Sequence, residues 1–329
     1  MSLLDDASIV ITPNGVKVST LFAVIPSDGA ADMDFTRATT ATRIDERGFI
    51  VEVGDGVPRI DYDRGGVGCP YILAEPQRTN ILFPSEVGAT QTLTVTAVEQ
   101  VFTFYGTGTV VLSGAHAETL VGTGTDERFE LKFTPTAGSL TLTVTGTVTN
   151  WQLEVGSYPT SVIITSVGTV TRNQETFTRA GISSLINSTE GVLFVEMAAL
   201  SDDLTLREIT LSDGSYLNYV LIRFNSGGGN RIYTRVNVGG GLEYFNLDTS
   251  HTITDTNKIA IRWEASNFAT FINGVKIDFQ LSGSSFAADT LNELNFDNGT
   301  GGNPLYAKVK QIQVYQTALT DPQLAALTS

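Results

Sequence analysis

Short runs that alternate apolar residues with polar ones or threonine, broken by glycine or proline roughly every 8–12 residues, limit the fold most. Leu93-Thr-Val-Thr, Val101-Phe-Thr-Phe-Tyr, Thr109-Val-Val-Leu, Phe129-Glu-Leu-Lys-Phe and Leu140-Thr-Leu-Thr-Val-Thr carry this pattern through residues 86–172. A period of two sends successive side chains to opposite faces of a strand, so one face packs while the other meets water. The pattern resumes after Thr189, over 192–197, 207–211, 218–224, 231–236, 258–264, 270–278, 293–296 and 307–315. Residues 1–85 hold only scattered short strands, at 9–12, 20–25 and 48–53, separated by Asp/Gly turns. With 32 glycines among 329 residues and only 17% charged side chains, the chain belongs to the all-β class.

The formal charge of −15 disfavours nucleic acid and anionic membrane as partners. The acidity is spread along the chain with no acidic tail, which gives a solvated, mutually repelling surface. Cys69 is the single cysteine, so no intrachain disulfide can form. Between Gly68 and Pro70 it is expected to be a small apolar filler. Met1-Ser2-Leu3-Leu4-Asp5-Asp6 lacks the basic and apolar regions of a signal peptide, and no apolar run approaches membrane-spanning length. The expectation is synthesis in a cytoplasm, with export by another route if at all.

Residues 57–82 differ from the rest. Val57-Pro-Arg59-Ile-Asp61-Tyr-Asp63 leads through a glycine-rich turn to Cys69-Pro-Tyr71-Ile-Leu-Ala-Glu75-Pro-Gln-Arg78-Thr-Asn80-Ile-Leu. Each proline fixes its own φ and extends the residue before it, so the segment reads as an ordered strap laid over a surface. This wording resembles a strap of bacteriophage virion proteins. Asp34-Phe-Thr-Arg37-Ala-Thr-Thr-Ala-Thr-Arg43 and Arg47-Gly-Phe-Ile match the same proteins in the same order. Trp151-Gln-Leu-Glu154-Val-Gly-Ser-Tyr-Pro-Thr160-Ser resembles the end of a compact carbohydrate-binding-module-like jelly roll that follows the strap in that family. Glu190-Gly-Val-Leu-Phe-Val-Glu, the Ile272-Asn273-Gly274-Val275 hairpin and Lys308-Val-Lys-Gln-Ile-Gln-Val-Tyr resemble a concanavalin/laminin-G-like sandwich.

The resemblance implies a virion component, in the tail, a fibre or a head decoration, with four parts. These are an N-terminal extended attachment segment (1–85), a small jelly-roll-like β-sandwich (86–172), a connector (173–185) and a C-terminal concanavalin-like β-sandwich (186–329). The attachment segment is expected to pack on a neighbouring domain, another subunit or the virion. Expected partners are other virion proteins through residues 1–85, host surface polysaccharide, and further copies of the chain, a trimer foremost. The expected location is the virion, after synthesis in the infected host cytoplasm. Host-glycan adhesion is the leading functional expectation. A decoration or scaffold protein that makes only protein contacts is the alternative.

Catalytic patterns are missing from the sequence. The nearest approach to a paired-carboxylate strand, Glu293-Leu-Asn295-Phe-Asp297, has an amide in the middle and reads as structural. His116 and His251 sit in turns without zinc-ligand spacing. The glycine runs 227–229 and 239–241 lack a lysine and a following helix, so they read as hairpin tips. Asp32/Asp34, Asp61/Asp63 and Asp202/Asp203 complete no calcium loop and are expected in solvated turns. No enzyme activity, metal or cofactor is expected.

One face does gather ligand-binding chemistry. In 216–224, 231–236 and 258–263 the apolar alternation turns Val220, Ile222, Phe224, Ile232, Val236, Ile261 and Trp263 to the core. Tyr219, Arg223, Arg231, Tyr233, Arg235 and Arg262 then share the opposite face if the strands share a sheet. Aromatic rings offer stacking surface and guanidiniums offer paired donors to carboxylate or sulfate. The tail from Thr320, with Gln323 three residues on, predicts a short helix opened by a capping box.

Overall fold

The structure, a computed structural model, describes residues 3–65, 68–225 and 227–329. Gly66 and Val67 of the strap's glycine-rich turn, Met1 and Ser2 of the N-terminal stretch, and Ser226 beside the 227–229 tip lie outside the described residues.

The first eighty-five residues supply β1 (Ala7–Lys17), β2 (Thr20–Ile25), β3 (Met33–Thr36), β4 (Ala41–Ile44), β5 (Ile50–Val53), β6 (Arg59–Asp61), β7 (Tyr71–Ala74) and β8 (Arg78–Asn80). The small sandwich has β9 (Gln91–Val95), β10 (Gln100–Gly106), β11 (Thr109–Gly114), β12 (Glu118–Val121), β13 (Gly124–Phe133), β14 (Gly138–Thr145) and β15 (Thr149–Val155). β16 (Val170–Arg172) and β17 (Thr176–Ala180) follow, then β18 (Glu190–Ala199), β19 (Arg207–Ser212), β20 (Tyr219–Phe224), β21 (Ile232–Val238) and β22 (Gly241–Asp248). The remainder is β23 (Asn257–Glu264), β24 (Phe268–Ile272), β25 (Val275–Gln280), β26 (Glu293–Asn295), β27 (Ala307–Tyr315) and α1 (Asp321–Leu327).

The all-β architecture is as the alternation requires. In the small sandwich, β13-β10-β15 packs against β12-β11-β14-β9. Phe102, Phe104, Val110, Leu112, Leu140, Leu142, Trp151 and Leu153 fill the space between these sheets. Every one of them comes from the core-facing register of an alternating run.

The large sandwich is one hydrogen-bonded sheet that doubles over, in the order β22-β21-β20-β19-β26-β17-β3-β2-β1-β27-β18-β23-β24-β25. Val220, Ile222 and Phe224 from one half meet Ile259, Ile261 and Trp263 from the other in one core. Polar pins cross it: Thr234 Oγ1 lies 2.6 Å from Thr270 Oγ1, and the Tyr244 hydroxyl donates to the same oxygen at 2.9 Å. Trp263 is fully buried, and its indole N–H reaches the Ser188 carbonyl at 3.2 Å. A Cβ on Gly191 would stand 2.4 Å from that indole, so only glycine fits there.

Local signals behave as their chemistry dictates. Asn273 (φ 49°) and Gly274 (φ 83°) form the tight turn between β24 and β25, so the 270–278 run is two strands. The Thr320 backbone N–H donates to Gln323 Oε1 at 2.9 Å and opens α1. Other expectations need correction. Cys69 is exposed and fills no core gap. Asp61 is buried, not part of a solvated turn.

The expected attachment segment contributes strands to the interior of the large sheet. β1 lies between β2 and β27, with Ala7 opposite Tyr315 and Ile11 opposite Ile312. β3 pairs with β17 of the connector, and β7 with β27. Ile9, Ile11, Leu21, Met33, Phe35 and Ile72 are all 0–1% exposed in the large core. Of the three surfaces on which residues 1–85 could pack, the structure shows the neighbouring domain.

The strap's specific polar residues are the joint between these parts. Arg59 is fully buried, and its guanidinium pairs with Glu175 through Nε at 2.7 Å and through Nη2. It also donates to the Thr42 carbonyl at 2.9 Å and reaches Glu75 at 2.8 Å. Glu175 binds Arg37 at 2.7 Å, and Glu75 binds Arg172 at 2.7 Å. Glu75 also accepts from the Ser161 N–H at 2.8 Å and hydroxyl at 2.7 Å, which tethers the strap to the small sandwich. Asn80 uses its whole amide. Oδ1 accepts from Leu82 and Leu153, and Nδ2 donates to the Trp151 and Ile163 carbonyls. These charges are affordable in the interior only because each has several partners.

Two carboxyls of this joint titrate in opposite senses. Burial pushes Glu75 up, but Arg172 and Arg59 outweigh it and hold the carboxyl at about 2. Its stabilisation is present above its ordinary 4.5 and is lost as pH falls from there toward 2. Asp61 accepts from the Ile44 N–H and the Tyr71 hydroxyl, yet burial dominates and raises it from 3.8 to about 6. The folded state therefore holds a proton there that the unfolded state releases, and stability falls as pH climbs between those two values. An Asp61→Asn variant should lack this fall, whose ceiling is about 3 kcal/mol. Urea midpoints measured from pH 4 to 8 decide it. Parallel curves for variant and wild type would mean that Asp61 titrates normally.

Candidate functional site

On β20 and β21 the alternation sends Val220, Ile222, Phe224, Ile232, Thr234 and Val236 inward. Tyr219, Arg223, Tyr233 and Arg235 therefore lie on the outer face. Register sets them in a grid: Arg223 opposite Tyr233, Leu221 opposite Arg235, and Tyr219 opposite Asn237. Cations rest on rings across the strands. The Arg223 guanidinium lies 5.1 Å from the Tyr233 ring centre and that of Arg235 lies 5.7 Å from Tyr219.

The six expected site residues do not all share this face. Arg262 sits on β23 in the opposite half of the sandwich and is 5% exposed. Its guanidinium clasps α1, donating to the Leu319 carbonyl at 2.9 Å and to Asp321 at 2.9 Å. Tyr219 is on the right face but fully buried, with the Tyr216 ring tilted against it at 4.8 Å between ring centres. Arg231 precedes β21 at the glycine tip, where a Cβ on Gly228 would lie 2.8 Å from its guanidinium carbon. Tyr233, Arg223 and Arg235 remain together.

Their charges are not equivalent. Arg223 pairs with buried Glu208 at 2.6 Å and donates to the Tyr216 hydroxyl at 3.0 Å. Burial raises the Glu208 carboxyl, while Arg223 pulls it back. Asn303 donates to the same carboxylate at 2.9 Å. Arg235 instead makes one side-chain hydrogen bond, to Asn237 at 2.8 Å, and no ion pair among the described residues. Its Nε is buried without a hydrogen-bond partner.

The pattern reading missed the apolar part of this face. β22 extends it beyond β21, with Phe245 opposite Arg235 and Leu247 opposite Tyr233. Phe245 is 52% exposed and its ring lies 6.3 Å from that of Tyr233. Tyr216 and Leu217 add exposed surface from the 213–218 turn. The signal was present in Leu242-Glu-Tyr244-Phe-Asn246-Leu-Asp248, whose alternation follows directly on the 239–241 glycines. The candidate platform is thus Tyr216, Tyr233, Arg235 and Phe245, supported from below by Tyr219 and the Arg223–Glu208 pair.

The paired-carboxylate stretch is committed to structure. Glu293 accepts from Asn295 at 3.1 Å, and Asp297 accepts the Gly299 N–H at 2.6 Å in a tight loop. His116 contacts Glu118 at 3.0 Å and His251 contacts Asp248 at 2.9 Å, both part-exposed. Among the described residues no group of three or more His, Cys, Asp or Glu could hold a metal ion.

No protein-family model matches the chain, and no curated protein does. Several solved structures overlap part of it. The CBM40 of the Ruminococcus gnavus IT-sialidase, bound to α2,3-sialyllactose, matches 43% of this chain and 83% of its own at 16% identity and a TM-score of 0.37. Domain 4 of AbnA, an extracellular GH43 arabinanase from Geobacillus stearothermophilus in complex with arabinotriose, matches 50% and 79% at 11% identity and a TM-score of 0.36. The leech intramolecular trans-sialidase matches 43% of this chain and 23% of its own at 17% identity and a TM-score of 0.36. These overlaps are partial, and the sandwich architecture rests on strand register and core packing.

Proposed function

We propose that this protein is a bacteriophage particle component that holds acidic host-surface glycan on the β20–β22 face and does not cleave it. The observation that carries the reading is Arg235, a cation without an ion-pair partner among the described residues, on the same strand as Tyr233 and directly opposite Phe245 of β22. Aromatic faces take the C–H side of a sugar ring, and a guanidinium takes its carboxylate or sulfate. The virion setting rests on the resemblance of residues 34–82 to phage straps. Hydrolysis has no place in this reading, because Glu293 and Asp297 are engaged in structural hydrogen bonds.

The test is a glycan array with the full chain, wild type against Tyr233→Ala/Arg235→Ala. Carboxylated or sulfated glycans should be retained, with signal falling as salt rises, since exposed charges are screened over about 8 Å at physiological ionic strength. The double variant should lose about tenfold or more in affinity, and neither protein should release reducing ends. Display in many copies would turn weak single contacts into firm attachment. Equal binding by the double variant rejects the site, and silence toward every acidic glycan rejects the reading. Leu217, Phe245 and Leu247, at 56, 52 and 40% exposed, favour a second reading in which this face docks another virion protein. A silent array together with loss of the double variant from assembled particles would establish that reading instead.

A further inference from the structure

The strap, the small sandwich and the large sheet meet around a cavity of about 320 Å³, remote in sequence from the β20–β22 face. Small-molecule sites occupy about 300–1,000 Å³, so it can take a single ring-sized ligand. Three cations reach it from three elements: Arg43 on β4, Arg128 on β13 and Lys308 on β27. Arg128 donates to the Thr160 carbonyl at 2.6 Å and to Thr103 Oγ1 at 2.8 Å, while its buried Nε has no hydrogen-bond partner. Arg43 donates to the Ile60 carbonyl at 3.0 Å. Neither guanidinium has an ion pair among the described residues, whereas Lys308 is paired with Asp63 at 3.0 Å and lies over the Tyr71 ring.

The cavity's own carboxylates do not neutralise these cations. Glu75 is shared by Arg59 and Arg172, and Asp61 accepts from Ile44 and Tyr71. Tyr105 forms a further wall, its ring held at 4.2 Å by the Arg64 guanidinium. The site therefore joins unpaired fork-shaped donors to ring walls, inside a pocket that three parts of the chain build together.

We infer that this junction binds a ring-sized organic carboxylate of the acidic monosaccharide class, with Arg43 and Arg128 on the carboxylate and the Tyr71 and Tyr105 walls around the ring. The site is separate from the β20–β22 platform, and a result at one leaves the other standing.

The test is calorimetry and thermal shift on the full chain, with galacturonate against its neutral counterpart galactose. Galacturonate should bind and raise the melting temperature, and galactose should do neither. Arg43→Gln/Arg128→Gln should weaken galacturonate by about tenfold or more. Thr254→Glu keeps the test decisive if that variant fails to fold. Thr254 lines the cavity from an exposed position, and a carboxylate there should repel the ligand without touching the core. Three results overturn the proposal: no galacturonate binding at millimolar concentration, equal binding of galactose, or full-strength binding by Thr254→Glu.

Discussion

Arg59→Met should destabilise the protein by about 3–5 kcal/mol, the usual cost of removing one member of a buried ionic cluster. Domains are commonly stable by only about 5–15 kcal/mol, so the loss would be a large fraction of the total. The reason lies in what stays behind. Glu175 would keep Arg37 as its one cation and Glu75 would keep Arg172 as its one, while the Thr42 carbonyl would lose the Arg59 donor. Methionine replaces the apolar stem and none of the five polar contacts, the fifth being the Arg59 donation to the Ser161 hydroxyl at 2.7 Å. The two tryptophans allow the effect to be located, since Trp151 belongs to the small core and Trp263 to the large one. Urea unfolding followed in Trp151→Phe and Trp263→Phe backgrounds should show one shared transition with Arg59 and two separate ones without it. A loss below about 1 kcal/mol would remove the cluster from its role as the joint.

Residues 186–329 made alone should not fold, and neither should residues 1–85. Between β26 and β27 the large sheet runs through β17, β3, β2 and β1, so residues 186–329 lack the strands that join their two halves. They would also lose Ile9, Ile11, Leu21, Met33, Phe35 and Ile72 from their core. At about 1.5–3 kcal/mol for each buried apolar side chain, the six together are worth about 9–18 kcal/mol, as much as the whole stability of a typical domain. β27 would present an unpaired edge, which invites aggregation. Far-ultraviolet circular dichroism and thermal melts of both pieces check this. A cooperative transition from either piece by itself would contradict the strand order.

Local chemistry was legible in the sequence, and partnership was not. The Asn273-Gly274 turn, the Thr320/Gln323 capping box and the burial of Trp263 each depend on residues near in the chain, or on a period of two. The strap was legible as ordered and specific, because Arg59, Asp61, Glu75 and Asn80 are unusual beside prolines. That their partners are Glu175, Arg172, Ile44 and Trp151 follows only from tertiary folding. Arg262 shows the same limit. Its outward phase was right, but no local pattern says whether β23 lies beside β21 or across the core. β22 escaped because a glycine tip hid the strand behind it. Cys69 was misjudged because small neighbours do not imply a packed surrounding.

The pairing of β1 with β27 also fixes an order of events during synthesis. Ser8 bonds to the Val314 carbonyl, 306 residues away. At ribosomal rates of about 5–20 residues per second, the first strand waits roughly 15–60 s for its neighbour to emerge. The small sandwich, closed within one contiguous stretch, can complete itself in the meantime. The nascent chain thus carries a finished module in its middle and, before it, an apolar strand whose β27-facing edge is still unmatched, the state in which a chaperone would meet it.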